Sequence, residues 1–338
     1  MKIVILTSHL LESDKKVNIH YIYEGLVNDG HSVCWVTYPL SISIFRKHNR
    51  YKLKALIKGF FRQLHVISLI PPYAIRNIFF RNIFSIPIYF FSTKRLSFDL
   101  MISEGYQSAY FFEKIKFKKL IYRMSDDEGY LNFFSDESEQ LAKMINKTSQ
   151  VWSVLLSSSR KYKNSIYLPN PSYFSEVYSR KEKLKEAVYV GSNKFDNNFL
   201  RQLLDSGIVI NLFSEKIPFS HENLIFHGLV NKSDLQKQLS LFKVGLIPFD
   251  IDQKNTHMEI PLKTYDYLSA GLHVVMLSSS TSVKTEVIHL TDDKENFIEK
   301  VKRLMNEDID LDKYNEFLKL NSMEKFFQKI NNNLREIF

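Results

Sequence analysis

Twice along this 338-residue chain, short apolar runs alternate with helix-length segments, and the stretch Tyr167-Leu168-Pro169-Asn170-Pro171 separates the two series. Short apolar runs split by amphipathic segments form parallel strands, with helices covering both faces of the sheet. In the first series the expected strands are 2–7, 32–36, 99–103, 119–123 and 150–154, with helices over 17–28, 106–113 and 137–146. In the second the strands are 187–190, 208–213, 224–227, 243–248 and 272–277. One hydrophobic core rarely serves a chain of this length. The sequence therefore predicts two α/β domains with a cleft between them, residues 1–170 and 171–315. A helical tail, 316–338, closes the chain and can pack back on the first domain.

Lys and Arg number 46 against 37 Asp and Glu, a net charge of +9, and the excess is concentrated. No acidic residue occurs from 30 to 98, while eleven Lys or Arg lie between Arg46 and Arg95. Phe60, Phe61, Tyr73, Phe79, Phe80 and Phe84 are interleaved with them. Basic side chains draw a surface toward anionic headgroups, and aromatic ones enter the interface. This stretch is expected to face a membrane through Arg46, Lys47, Lys54, Lys58, Phe60, Phe61 and Arg62. A domain core with a solvated charged face would carry the same residues. No uncharged run reaches the roughly 18 residues of a spanning helix, so the expected place is the cytoplasm, peripherally on the inner face of the cell membrane. The lone Cys34 excludes an intrachain disulfide and fits a reducing compartment. The opening residues read as a first strand, their apolar run being too short for a secretory leader.

The densest chemistry lies in 258–275, MEIPLKTYDYLSAGLHVV. Pro261 suits the first turn of a helix and Gly271 its end. Lys263, Asp266 and Tyr267, spaced i, i+3 and i+4, share one face of that helix. A lysine there can offset a phosphate, an aspartate can accept hydrogen bonds from ribose hydroxyls, and the helix N-terminus favours an anion. Spacing alone leaves an ordinary surface ion pair open. In 120–127, LIYRMSDD, a strand ends at Ser125-Asp126-Asp127, where ligands of parallel sheets bind. Asp126 can act as a general base, with Asp127 second, or Ser125-Asp126 can cap a following helix. Asp250-Ile251-Asp252 has the spacing of a metal-binding acidic pair, but it stands alone. No paired Cys/His spacing, G-x-S-x-G or Walker loop occurs, so neither a metal nor a cofactor is expected.

The pattern formed by Pro261, Lys263, Asp266, Tyr267, Leu268, Ala270, Gly271, Val274 and Val275 resembles the nucleotide-sugar motif of GT-B glycosyltransferases. Three further segments resemble that family in the same order. They are YLPNP at 167–171, an interdomain crossover; AVYVGSNKFD at 187–196, a strand and Gly-Ser loop; and LIFHGLV at 224–230, near which the base sits. The resemblance implies two Rossmann-like domains facing across a cleft and a nucleotide-diphosphate sugar, a uridine one by preference, as substrate. The donor residues it implies are Gly191, Ser192, Asn193, His227, Phe249, His257, Glu259, Pro261, Leu262, Lys263, Thr264 and Asp266. Asp266 is shorter than the glutamate usual at its place.

Taken together, YRMSDD, VGSNKFD and PLKTYDYLSAG are most similar to the membrane-associated glucuronosyltransferases of xanthan assembly. That similarity implies an inverting, metal-independent reaction with Asp126 as base and a lipid-linked or polysaccharide acceptor in bacterial surface-glycan synthesis, such as a capsule or exopolysaccharide. Other classes fit parts of the sequence. A basic nucleic-acid-binding protein would use the charge, but the charge lies in one apolar segment without a recognition motif, so no nucleic acid is expected as partner. A non-catalytic scaffold and a nucleotide-sugar epimerase of the same two-domain shape are the remaining alternatives.

Overall fold

The computed structural model describes residues 1–13, 16–41, 65–70, 78–84, 97–125, 137–191, 195–248, 260–278 and 285–338. Arg46, Lys47, Lys54, Lys58, Phe60, Phe61 and Arg62, the expected membrane-facing residues, lie outside them. The chain divides into two compact units, one of Met1–Leu168 with Ile330–Phe338 and one of Pro169–Lys329.

In the first unit seven parallel strands form one sheet: β1 (Lys2–Thr7), β2 (Ser32–Ser41), β3 (His65–Ile70), β4 (Phe98–Glu104), β5 (Phe117–Met124), β6 (Gln150–Ser153) and β7 (Ser165–Tyr167). Their order is β3-β2-β1-β4-β5-β6-β7, so the chain winds outward from β1 to β3, then returns and winds the other way. The winding reverses between β1 and β4, the position at which doubly wound sheets open a crevice for ligands. From Ile3 to Thr7 every residue of β1 is buried, as a strand covered on both faces requires. Trp35 on β2 is fully buried beneath α1 (Asn18–Asn28), its ring centroid 5.0 Å from that of His20 and 5.6 Å from that of Tyr23. A short helix, α2 (Ile78–Phe84), precedes β4. On the opposite face Leu141 and Met144 of α3 (Glu137–Lys147) join Val4, Leu6, Met101 and Tyr122. Each such side chain contributes about 1.5–3 kcal/mol by leaving water.

The helix expected at 106–113 is instead two 3₁₀ turns, Tyr106–Tyr110 and Phe112–Lys114. The Ser108 hydroxyl donates to the Gly105 carbonyl at 2.6 Å, and i→i+3 bonds from Ser108 and Phe111 tighten the segment beyond an α-turn. Residues 156–159 form one further helical turn, α4 (Leu156–Ser159).

The second unit holds six parallel strands: β8 (Leu184–Val190), β9 (Ile210–Phe213), β10 (Leu224–Phe226), β11 (Phe242–Pro248), β12 (His273–Leu277) and β13 (Ile288–Thr291), in the order β10-β9-β8-β11-β12-β13. Its winding reverses between β8 and β11. The helices are α5 (Asn197–Asp205), α6 (Lys232–Leu239), α7 (Leu262–Ser269), α8 (Lys294–Leu304) and α9 (Leu311–Leu320), and the last helix, α10 (Met323–Ile337), begins in this unit and has its final turns, from Ile330, in the first. Phe199 and Leu203 of α5 and Phe297 and Val301 of α8 cover one face, against Ala187, Ile210 and Leu246. Leu235 of α6, Tyr265 and Tyr267 of α7 and Leu318 of α9 cover the other, against Val188, Ile247 and Val274.

Candidate functional site

In the second unit the reversal point is organised by Tyr267. Its hydroxyl accepts a hydrogen bond from the Val190 amide at 2.9 Å and donates to the Leu246 carbonyl at 3.2 Å. One phenol thereby ties α7 to the ends of β8 and β11. Burial raises its pKa well above that of an ordinary tyrosine, keeping it a donor.

That tie sets the N-terminus of α7 beside the loop after β8. Gly191 adopts φ 142°, a backbone that favours glycine, and its amide donates to the Phe213 carbonyl at 3.0 Å. A β-carbon there would stand 3.2 Å from both the Lys263 Nζ and the Tyr189 hydroxyl. The Lys263 Nζ lies 4.4 Å from the centroid of the Tyr189 ring, a cation–π contact that holds the ammonium next to the glycine. Burial pushes the Tyr189 phenol up to about 12, so it stays neutral under the lysine.

At the other end of α7 the terminal carbonyls are satisfied by the protein itself. Gly271, at φ 66°, and Leu272 close a Schellman motif through bonds to the Leu268 and Tyr267 carbonyls at 2.9 and 3.0 Å. The Lys183 Nζ donates to the carbonyls of Ala270 and Gly271 at 2.9 and 2.8 Å, and the Gln236 side chain and Tyr178 amide donate to Ser269 at 2.9 and 2.7 Å. Burial, then the neighbouring Lys243, brings the Lys183 ammonium down to about 8. Positive charge thus reinforces the negative end of the helix, while the N-terminal end carries Lys263 and no acidic residue in its first turn. The helix dipole and Lys263 together make the N-terminal end of α7 electropositive.

A flat platform lies on the same edge of the sheet. His227, just past β10, stacks on Phe213 at the end of β9, with centroids 4.5 Å apart and planes within 10°. Asn211 donates to Glu186 at 2.7 Å, so its carbonyl oxygen, 2.7 Å from His227 Nε2, accepts from an Nε2–H. Burial lowers the His227 pKa, leaving the ring neutral and fixed in orientation.

The structure brings Gly191, His227, Pro261, Leu262 and Lys263 to this edge of the unit. Leu262 is exposed and Lys263 half-buried, whereas Thr264 and Asp266 are buried, at 0% and 7% exposure. Ser192, Asn193, Phe249, His257 and Glu259 lie outside the described residues, as do Asp126 and Asp127 in the first unit. Tyr189 and Phe213 were not expected; their signal was an aromatic side chain at or next to the end of a strand.

In the first unit a second polar group occupies the reversal point. The Thr7 hydroxyl, at the end of β1, donates to Glu104 Oε2 at 2.8 Å, at the end of β4. Arg123 of β5 places its Nε 3.6 Å from Glu104 Oε1, and the His9 Nε2 lies 3.9 Å from Oε2. Glu104 and Arg123 are buried, at 4% and 0% exposure, while the His9 side chain is 41% exposed. Sequence reasoning passed over all four residues. Among the described residues no group of three or more His, Cys, Asp or Glu could hold a metal ion, and no helix is long and apolar enough to cross a membrane.

No protein-family model and no curated protein matches the sequence. Solved structures do. A mutant of S. aureus TarM in complex with fondaparinux, alpha-GlcNAc-glycerol and UDP superposes with a TM-score of 0.62 at 10% identity, over 98% of this chain and 99% of that one. An alpha-glucosyltransferase in complex with UDP and a 13-mer DNA gives 0.57 at 12% identity, over 99% and 98%. A Listeria monocytogenes structure assigned as a UDP-N-acetylglucosamine 2-epimerase gives 0.52 at 9% identity, over 95% and 92%. At these identities the likeness is one of fold. The chain has the α/β architecture of two Rossmann-like units found in GT-B proteins.

Proposed function

We propose that the chain is a glycosyltransferase that moves a sugar from a uridine-diphosphate donor to a lipid-linked or polysaccharide acceptor in bacterial surface-glycan synthesis. The observation that carries the reading is the meeting of Gly191, Lys263 and the N-terminus of α7 at the reversal point of the second unit. A diphosphate seated there would be offset by the ammonium and by the helix end, with the glycine allowing backbone approach. The His227–Phe213 platform suits the flat base of a nucleotide. TarM and the alpha-glucosyltransferase, both solved with UDP, support that choice of donor.

The acceptor does not follow from the fold, since one of these neighbours was solved with alpha-GlcNAc-glycerol and the other with DNA. On α2, Phe79, Phe80 and Ile83 are exposed within the acid-free basic stretch, which supports an acceptor carried at an anionic membrane surface and hence a peripheral place on its inner face. The resemblance to xanthan-assembly glucuronosyltransferases supports hexosyl or glucuronosyl transfer by inversion without a metal, with Asp126, or Asp127 second, as the base.

A thermal-shift panel of nucleotides and nucleotide sugars tests the reading, because a ligand that binds only the folded state raises the melting temperature. Stabilisation of the wild type by UDP and its loss in Lys263→Ala are expected. A folded protein indifferent to every nucleotide would point to a scaffold role. Interconversion of a UDP-sugar without an acceptor would point to an epimerase.

A further inference from the structure

We propose that Lys183 is a positioning residue for the donor: its ammonium, clamped on the C-terminal carbonyls of α7, fixes how far that helix reaches toward the loop after β8, and UDP binds tightest while the clamp is charged. The proposal rests on the donor reading above and lies wholly within the second unit.

The helix α7 joins the parallel strands β11 and β12, so it runs against them. Its C-terminus comes to the amino ends of the strands and its N-terminus to their carboxyl ends. Two ties connect it to β8, one at each end of that strand. At the carboxyl end the Tyr267 hydroxyl accepts from the Val190 amide. At the amino end Lys183, the residue before β8, reaches the Ala270 and Gly271 carbonyls, and the Leu184 amide beside it is held by the Leu241 carbonyl at 2.8 Å. A helix of eight residues, about 12 Å long, moves as one piece. A shift at its lower end is therefore felt at the ligand end, where Lys263 faces Gly191. The ammonium there stands where a β-carbon on Gly191 would meet it at 3.2 Å, so small displacements change what fits. Gln236 and the Tyr178 amide also hold the last turn, at Ser269, but neither carries a charge.

Charge makes Lys183 more than a strut. Its two bonds to the negative end of the helix dipole are charge-assisted, and they weaken once the amine is neutral. Burial, then Lys243, brings that change down to about 8. The charged or titratable groups facing Lys183 are Lys243 at the start of β11 and His273 at the start of β12, while α7 meets it with carbonyls. Lys243 is engaged with the Glu307 carbonyl at 3.2 Å and with Asp308 at 3.9 Å. Burial holds His273 below the usual histidine range, so that ring stays neutral as Lys183 titrates. Proton and donor then favour each other: a helix held in place binds UDP better, and bound UDP, by holding the helix, keeps the proton on Lys183. UDP affinity is therefore full below about 8 and falls as pH rises through that value.

The test is isothermal titration of UDP at pH 7, 8 and 9 into the wild type, Lys183→Met and Lys183→Arg, each checked for folding by its melting without ligand. Lys183→Met keeps the length of the side chain without its charge. It is expected to bind UDP about fivefold more weakly than wild type at pH 7, the scale of one cation at a helix end. The difference should shrink toward none at pH 9, where the wild-type amine is itself neutral, and ionisation of UDP cancels in the comparison. Lys183→Arg, charged throughout, should match wild type at pH 7 and exceed it at pH 9. A merely structural role would give the same ratio at every pH. Lys183→Met within twofold of wild type at pH 7, or a ratio that does not change with pH, overturns the proposal and leaves the donor reading standing. Should Lys183→Met fail to fold, parallel pH profiles of wild type and Lys183→Arg overturn it equally. A folded wild type that binds no UDP at any pH overturns the donor reading beneath.

Discussion

The ring of Tyr267 lies directly over Gly245, so close that a β-carbon on the glycine would stand 2.3 Å from the ring's Cγ. Tyr267 is fully buried and held at its hydroxyl by Val190 and Leu246, so the ring cannot yield. Gly245→Ala is expected to cost about 3 kcal/mol, a fall of roughly 5–10 °C in melting temperature. Tyr267→Phe, which removes only the oxygen, leaves the Val190 amide without that acceptor and should cost about 1–3 kcal/mol. Urea unfolding of both variants checks the ranking. A Gly245→Ala protein as stable as wild type would show that the ring is not the clamp of the reversal point.

Lys263 rests its ammonium on the ring of Tyr189 at the surface of the second unit, and its removal is expected to weaken binding more than folding. Lys263→Ala is expected to weaken UDP at least about tenfold, the scale of one charge-assisted contact to phosphate, while melting without ligand changes little. Gly191→Ala should act differently. Its φ of 142° strains any other residue and its β-carbon would press on Lys263, so both stability and UDP affinity fall together. Isothermal titration beside thermal unfolding distinguishes the two, and equal melting losses in both variants would contradict the assignment.

What the sequence made legible follows from where the information is local. Strands such as β1 and β12 are continuous apolar runs, and the helix that begins after Pro261 and ends at Gly271 carries both of its boundaries in its own residues. Lys263 and Gly191 stood out because a lysine and a glycine interrupt such patterns. The segment at 106–114 failed because its tight turns depend on Ser108 and Gly105, not on periodicity. Short edge strands, β7 and β13, carry too few residues to show a period. The cluster of Thr7, His9, Glu104 and Arg123 was hidden for another reason. Its members come from three distant segments and meet only through strand register, which no local pattern encodes.

Acid should loosen the second unit through a histidine pair. His289 lies 5.4 Å from His273, and burial, then His273 and Lys300, lowers its pKa to about 4. His273, whose Nε2 meets the Glu307 carbonyl at 3.3 Å, is also lowered by burial. In the unfolded chain these rings protonate near pH 6.5. Unfolding therefore takes up protons below that value, and stability is expected to fall as pH drops from about 6.5 toward 4. The half-buried ring of His289 is partly screened by solvent, so its share is about 1–2 kcal/mol. Urea unfolding of wild type and His289→Gln at pH 7, 5.5 and 4.5 measures it. The stability of wild type relative to the variant should decline toward the lowest pH, and a constant difference would clear His289 of the effect.

The exposed face of α2 gives the membrane reading its own test. Phe79, Phe80 and Ile83 are 64%, 43% and 40% exposed, and the rings of the two phenylalanines meet edge to face with centroids 5.7 Å apart. Water is a costly neighbour for such a group, and a bilayer interface would bury it at about 2 kcal/mol per ring. Phe79→Ser with Phe80→Ser is therefore expected to weaken binding to vesicles of phosphatidylglycerol and phosphatidylcholine by at least about tenfold. Because basic residues crowd the same stretch, wild-type binding should also weaken as salt rises from 50 to 500 mM, beyond the reach of surface charges. Co-sedimentation measures both, while UDP affinity serves as the control for folding. Equal vesicle binding by wild type and the double variant would remove α2 from the membrane surface, and no binding by the wild type at low salt would end the membrane reading itself.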